Sequence, residues 1–315
     1  MKWTALLCLM GCGPLAQGAP AVEFAPQAIM GGGLADTDTG VVFVRRMGTT
    51  RRCSGSVIGR NLVLTARHCV SNFQSQDVDG VVCGNTSFDG VEPAANVDVA
   101  LGANAEQPTA SVAVREVWVM PGDGGYCDHD AALLLLARPL AQEEAQVLEP
   151  RVGSPARKGE EYSALGFGAS VDTGEGFGLR RRRDGLFIAC VGTHCGVPDV
   201  GAREWQGTHA ICRGDSGGPA LDVDGRIIGV ASRSAARCED PIYVNVAEVG
   251  AWLRQAGIKA ADLLGEAAPA WTRLPTLHAV EPTVLRQGCA ASGGTLASVI
   301  LFVGCLRRLR KSSRG

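Results

Sequence analysis

From residue 29 to 255 the chain alternates short apolar runs with clusters of Gly, Pro, Asn and Asp. Examples are VVFVRR (41–46), GSVIGRNLVLTA (55–66), SVAVREVWVM (111–120), AALLLLA (131–137) and IIGVAS (227–232). Apolar stretches of about 4–8 residues with this much Val and Ile predict strands. One late segment has helical spacing: residues 246–256 place Val249, Trp252 and Leu253 on one face, with Gly257 as the expected stop. Early strands without βαβ alternation argue against a doubly wound sheet and predict an all-β core that ends in one helix.

The two ends have a different pattern. The opening MKWTALLCLMGCGPLAQGAP sets one Lys before an apolar stretch and small residues after it, which predicts an export signal over 1–19. Cleavage after Gly18 or Ala19 fits, and Leu9-Met10-Gly11-Cys12 also resembles a bacterial lipoprotein signal with Cys12 as the lipidated residue. Residues 256–288 are Ala-rich, carry Pro269, Pro275 and Pro282, and are expected to be a linker. Residues 290–306 contain no charge and run into Arg307, Arg308, Arg310 and Lys311. That length just reaches the lower limit of a membrane span, with the basic cluster on the cytoplasmic side. With Gly288-Cys289 ahead of it, the segment 289–315 resembles the C-terminal sorting tails of myxobacterial surface proteins; a permanent anchor or a buried apolar helix are the other readings.

Composition narrows the function classes. The 315 residues set a soft prior of two domains, although an all-β barrel protein of about 200–250 residues often forms one. Lys and Arg number 30 against 32 Asp and Glu, so no global field draws the chain to nucleic acid. Aromatics at 5% leave no stacking platform for single strands. The 42 glycines suit a fold of strands and turns. Twelve cysteines are many for a cytosolic enzyme.

Four motifs follow one another on the strand pattern: Thr65-Ala66-Arg67-His68-Cys69, then Asp128-His129-Asp130-Ala131-Ala132-Leu133-Leu134, then Gly166-Phe167-Gly168, then Cys212-Arg213-Gly214-Asp215-Ser216-Gly217-Gly218-Pro219. Over residues 29–255 they resemble the chymotrypsin/trypsin-like serine endopeptidases, whose His, Asp and Ser come in the same order. The resemblance implies two six-stranded antiparallel β-barrels with a C-terminal helix, and hydrolysis of peptide bonds.

The residue types suit that chemistry. A Ser hydroxyl is a weak nucleophile at its own pKa and needs an adjacent base. An imidazole takes that proton near neutral pH and returns it to the leaving group. A buried carboxylate sets the tautomer and stabilises the imidazolium. Ser216, His68 and Asp130 are the candidates for these roles. Asp128 competes with Asp130, but the Asp-x-x-Leu-Leu pattern fits Asp130 and leaves Asp128 as a solvated loop charge. Gly214 allows its N–H to turn inward beside that of Ser216, forming an oxyanion hole worth about 2.7–4 kcal/mol per donor.

Further expectations come from the resemblance. Ile29-Met30-Gly31-Gly32, thirty-nine residues ahead of His68, resembles the family's mature N-terminus. It implies a zymogen with a propeptide at 20–28, cut before Ile29, whose new ammonium pairs with Asp215. Cys53–Cys69 and Cys212–Cys238 match family bridges. Cys83, Cys127, Cys190 and Cys195 then allow three pairings, with Cys83–Cys127 and Cys190–Cys195 favoured. The substrate pocket would be lined by Ala210, Ser232, Ser234 and Pro241. Ala210 stands where trypsin-like members carry Asp, and Ser232-Arg233-Ser234 departs from the usual Ser-Trp-Gly. Ser234 and Pro241 narrow the pocket toward small apolar residues before the scissile bond. Arg213 and Arg233 leave acidic substrates open, and Asp240 leaves basic ones open.

Arg180, Arg181, Arg182 and Arg183 form a charge run expected to lie on a solvated edge. Nothing in the sequence requires a cofactor, no zinc-type Cys pairing recurs, and Asp77, Asp79 and Asp89 lack a regular calcium spacing, so no metal is expected. The partners expected are a peptide or protein substrate, no nucleic acid, and a membrane reached through the C-terminal tail. The chain is expected to be a monomer, exported to the extracellular space or cell surface, the outer membrane included. The alternative function is a non-catalytic surface binding protein on a serine-protease fold.

Overall fold

The computed structural model describes residues 29, 32–75, 81–122, 124–169, 176–209, 211–235 and 238–273. The export signal, Ala210 and the C-terminal tail expected from the sequence lie outside them.

The first half contributes β1 (Gly33–Leu34), β2 (Val41–Arg46), β3 (Arg52–Gly59), β4 (Leu62–Thr65), β5 (Ser71–Ser75), β6 (Thr86–Val91), β7 (Val97–Leu101), β8 (Ala110–Val119) and β9 (Ala132–Leu136). Six of them close an antiparallel barrel in the order β2-β3-β4-β9-β8-β7, while β5 and β6 form a separate hairpin. The second half contributes β10 (Glu161–Gly166), β11 (Arg181–Val191), β12 (Glu204–Gly207), β13 (Pro219–Leu221), β14 (Ile227–Arg233) and β15 (Ile242–Asn245). These close a second barrel through the pairing of β11 with β12, and β1 adds to the free side of β11.

The period-2 geometry of a strand explains why several runs are apolar throughout. Along β2, Val42 and Val44 pack with Val57, Val63 and Leu134 in the core of the first barrel. Their neighbours Val41 and Phe43 pack with Leu165, Phe167 and Val230 of the second half. β9 divides the same way, Leu134 and Leu136 into the first cluster and Leu133 and Leu135 into the shared one. Strands buried on both faces lose the polar alternation of a surface strand. Tyr162, Trp205, Ile228 and Tyr243 fill the second barrel.

The helix differs from expectation. It runs Gly250–Asp262, so Gly257 is inside it rather than at its end. A Cβ on Gly257 would lie 2.6 Å from the Trp271 ring, so this glycine makes room for an indole. Trp271 is 7% exposed and its Nε1–H donates to the Ile58 carbonyl at 3.0 Å. Asn61 Nδ2 donates to the Ala260 carbonyl at 2.9 Å. Packing against the first barrel therefore continues through residues 256–273, the first part of the segment expected to be a linker. Among the described residues no helix is long and apolar enough to cross a membrane.

The arginine run also differs. Arg180 is 2% exposed, not on a solvated edge. Its guanidinium donates to the carbonyls of Ala35 (2.8 Å), Asp36 (2.9 Å), Val41 (3.1 Å) and Gly102 (3.1 Å). The planar fork of Arg matches that many acceptors, which is what makes its burial tolerable. Arg181, Arg182 and Arg183 follow on β11, paired with β10.

Candidate active site

His68 sits in a single 3-10 turn, Arg67–Cys69, where β4 ends. The Cys53–Cys69 disulfide ties that turn to β3, with Cα atoms 6.1 Å apart. Asp130 immediately precedes Ala131 and β9 and is fully buried. Its Oδ1 accepts the His68 backbone N–H at 2.8 Å, and its Oδ2 lies 2.8 Å from His68 Nδ1. A proton on Nδ1 shared with that carboxylate leaves Nε2 as the acceptor. The Ser232 hydroxyl donates to the same Oδ2 at 2.6 Å. Asp130, not Asp128, is thus the carboxylate that holds the imidazole.

Ser216 comes from the second barrel, just ahead of β13, and lines one cleft with His68 and Gly214. Its backbone is held tightly: the Ser216 carbonyl accepts the Ser54 N–H at 2.7 Å. The Ser216 hydroxyl lies 3.5 Å from the Ser232 carbonyl, which is the bond it makes in this conformation. Gly214 has φ +102°, a left-handed value that suits glycine. The Gly214 carbonyl is turned away from the cleft to accept the Ser54 hydroxyl at 2.9 Å. Among the described residues the N–H groups of Gly214 and Ser216 have no acceptor within the protein. Two unpaired donors beside a hydroxyl are what a developing oxyanion needs.

Asp215 is fully buried behind this loop. Gly168 N–H donates to Oδ1 at 2.7 Å and Cys212 N–H to Oδ2 at 2.9 Å. Burial pushes this carboxyl up to about 7, against the pull of those two N–H groups. No cation pairs with it among the described residues. The Gly166-Phe167-Gly168 motif acquires a physical meaning here: a Cβ on Gly168 would lie 2.5 Å from the Asp215 carboxyl carbon, and one on Gly166 would meet the same side chain. Ile29 is fully buried among Tyr162, Ala164 and Trp205.

Several neighbours were not legible in the sequence. Tyr126 is 3% exposed, and its hydroxyl lies 3.0 Å from His68 Nδ1. Its ring stacks on Phe88 with centroids 4.9 Å apart, and burial raises its pKa well above the usual phenol value. Glu204, also fully buried, pairs with Arg233: Oε2 to Nη2 at 2.6 Å and Oε1 to Nη1 at 2.8 Å. Arg233 Nη1 donates on to the Ser232 hydroxyl at 3.1 Å, one bond from Asp130. An Arg followed by Ser signals nothing about a Glu on another strand, so only the fold could reveal this pair.

Asp128 is half-exposed in its loop. It accepts the Arg203 N–H at 2.6 Å and has φ +69°, pinning the loop beside Cys127. Of the expected pocket, Ser232 touches the site through both its carbonyl and hydroxyl. Ser234 is half-buried and Pro241 buried, and neither lines the cleft of His68 and Ser216. The disulfides are Cys53–Cys69, Cys83–Cys127, Cys190–Cys195 and Cys212–Cys238. Cys53, His68 and Cys69, and likewise Cys83, Cys127 and Glu204, lie close enough for metal ligands, but the sulfurs are bonded to one another and offer no thiolate.

A family profile described as Trypsin matches residues 31–253. Among curated proteins, the chain is 25% identical over 236 residues to CLIP domain-containing serine protease B10 of Anopheles gambiae, covering 65% of this chain and 61% of that protein. It is 23% identical over 229 residues to Granzyme M of Rattus norvegicus, covering 64% and 78%. It is 25% identical over 225 residues to snake venom serine protease Haly-2 of Gloydius brevicauda, covering 64% and 77%. The chain thus spans less than two thirds of the first of these relatives.

Proposed function

The chain belongs to the trypsin family, and from that premise we propose that it is a serine endopeptidase whose nucleophile is Ser216. The observation that carries the reading is the 2.8 Å contact of His68 Nδ1 with the buried Asp130 carboxylate, in a cleft that Ser216 also lines. With Nδ1 committed to Asp130, Nε2 is the basic nitrogen in the cleft shared with Ser216. In the reaction Ser216 Oγ attacks the peptide carbonyl carbon while Nε2 takes its proton. The carbonyl oxygen becomes an oxyanion between the Gly214 and Ser216 N–H groups. The imidazolium gives its proton to the leaving nitrogen, the C–N bond breaks, and an acyl-enzyme remains. Water, deprotonated by the same Nε2, then hydrolyses it and frees Ser216. The Asp130 carboxylate holds the imidazole through Nδ1 and stabilises the imidazolium.

Three finer readings accompany this one. Cutting before Ile29 supplies a buried ammonium for Asp215, a carboxyl that among the described residues is partnered by N–H groups alone. The four disulfides support a chain exported to an oxidising compartment; the signal over 1–19 and the sorting tail over 289–315 are proposed from their residue patterns. Ala210, Ser234 and Pro241 favour a small apolar residue before the scissile bond. Arg233 contributes little attraction for acid there, because Glu204 already neutralises it.

The test is hydrolysis of a mixture of unlabelled peptides by the full chain and by its Ser216→Ala form. New peptide termini with the wild type and none with the variant are expected. Equal cleavage by both would overturn Ser216 as the nucleophile, and cleavage by neither once the chain begins at Ile29 would favour the binding-protein alternative.

A further inference from the structure

On the side of Ser216 away from Ser232, the cleft widens to about 530 Å³ and is lined by His68, Cys53, Phe177 and four arginines. The arginines are not equivalent. Arg46 is spent on Glu92 and on Asn72 Oδ1. Arg51 donates to the carbonyl oxygens of His68 (2.5 Å) and Ser71 (2.8 Å) and lies 5.4 Å over the Phe73 ring. Its pKa is lowered by partial burial and by the nearby Arg46 charge, against the weaker pull of Tyr126, Asp130 and Glu92. Arg52 is exposed and lies 5.7 Å over the Phe177 ring. Arg213 is exposed and directly precedes Gly214. Among the described residues no Asp or Glu lines this cleft, and none pairs with Arg51, Arg52 or Arg213.

The proposed reaction assigns a direction to this cleft. The oxyanion donors fix the scissile carbonyl, and His68 must face the departing nitrogen. The segment released with that nitrogen therefore lies on the His68 and Cys53 side, among these arginines. We propose that Arg51, Arg52 and Arg213 select substrates with acidic residues just after the scissile bond. This rests on the reading of Ser216 as the nucleophile. The selectivity concerns the residues after the bond and is separate from the preference proposed for the residue before it.

The attraction works in two ways. A concave basic surface raises the local concentration of an acidic segment and its encounter rate, an effect that salt weakens. Contacts with a fixed guanidinium fork, as at Arg51, add carboxylate geometry. Arg52 resting on Phe177 leaves an apolar plate beside the charge, which suits an acidic residue next to an apolar one.

The test digests a proteome-derived peptide mixture with the chain processed to begin at Ile29 and reads the residues on both sides of every new terminus. Fluorophosphonate labelling counts competent molecules, so each preparation is compared per active site. Expected is an enrichment of Asp and Glu of about tenfold over Lys and Arg in the first three positions after the cut, falling to about twofold at high salt. The double variant Arg52→Glu/Arg213→Glu should reverse the preference. Should it not fold, Arg52→Gln/Arg213→Gln should flatten the preference. A flat profile in the wild type, or an acidic preference unchanged in either variant, overturns the inference while leaving the peptidase reading intact. No labelling and no cleavage overturns both.

Discussion

Replacing Asp215 by Asn should change the stability of the uncut chain with opposite signs at low and high pH. The folded carboxyl is raised from 3.8 to about 7 by burial. The unfolded chain carries an ordinary Asp near 3.9. Between these values the folded state holds a proton that the unfolded state has lost, so stability falls as pH rises through this window. The protonated carboxyl is accommodated fully below about pH 4, and its contribution is gone above about pH 7. A shift of about three units is worth about 4 kcal/mol at 1.36 kcal/mol per unit. Asn removes the charge but sets an NH₂ against one of the two N–H donors, Gly168 or Cys212. That mismatch costs about 1–3 kcal/mol at every pH. At pH 8 the variant should therefore be more stable than its parent by about 2 kcal/mol, and at pH 4.5 less stable by about 1 kcal/mol. The assay is urea unfolding, followed by circular dichroism, of the uncut chain in a Ser216→Ala background that cannot cut itself. Taking the difference between the two proteins cancels the other titrating groups. A difference that stays constant from pH 4.5 to 8 would refute the reasoning. In a chain cut before Ile29 the advantage at pH 8 should vanish, because the proposed ammonium compensates the charge.

Glu204→Gln leaves Arg233 buried without its counter-charge and should cost about 3–5 kcal/mol, read as a lower urea midpoint; a loss below 1 kcal/mol would mean water reaches the guanidinium. Gly257→Ala pushes a methyl into the Trp271 ring and should cost about 1–3 kcal/mol, with a change in tryptophan fluorescence; a neutral result would mean the glycine serves the helix end after all. N-terminal sequencing of the secreted wild type should begin at Ile29, and the Ser216→Ala form should begin earlier if the chain activates itself. A shared start at Ile29 assigns the cut to another protease, and a start elsewhere in both removes the zymogen reading.

The strands were legible because apolar runs of strand length are set by burial, and β2, β8, β9 and β14 fall almost where the runs do. The candidate site was legible because each of its parts sits in a short local motif, at residues 65–69, 128–134 and 212–219. What failed depended on partners far away in sequence. Gly257 reads as a helix stop until Trp271 is placed against it. Arg180 reads as solvated until four carbonyls from distant segments surround it. Tyr126 carries one signal, its place beside Cys127 and four residues ahead of Asp130. Glu204 carries none, because a buried acid is identified only by the cation it meets.

The central claim is that Ser216 is a nucleophile activated by His68. Its most direct measurement is the intact mass and adduct position after treatment with a fluorophosphonate, for the chain beginning at Ile29 and for its Ser216→Ala and His68→Ala forms. One adduct, located on Ser216, absent in the first variant and formed orders of magnitude more slowly in the second, is the predicted result. An unlabelled wild type, or an adduct on another residue that persists in Ser216→Ala, would contradict the account.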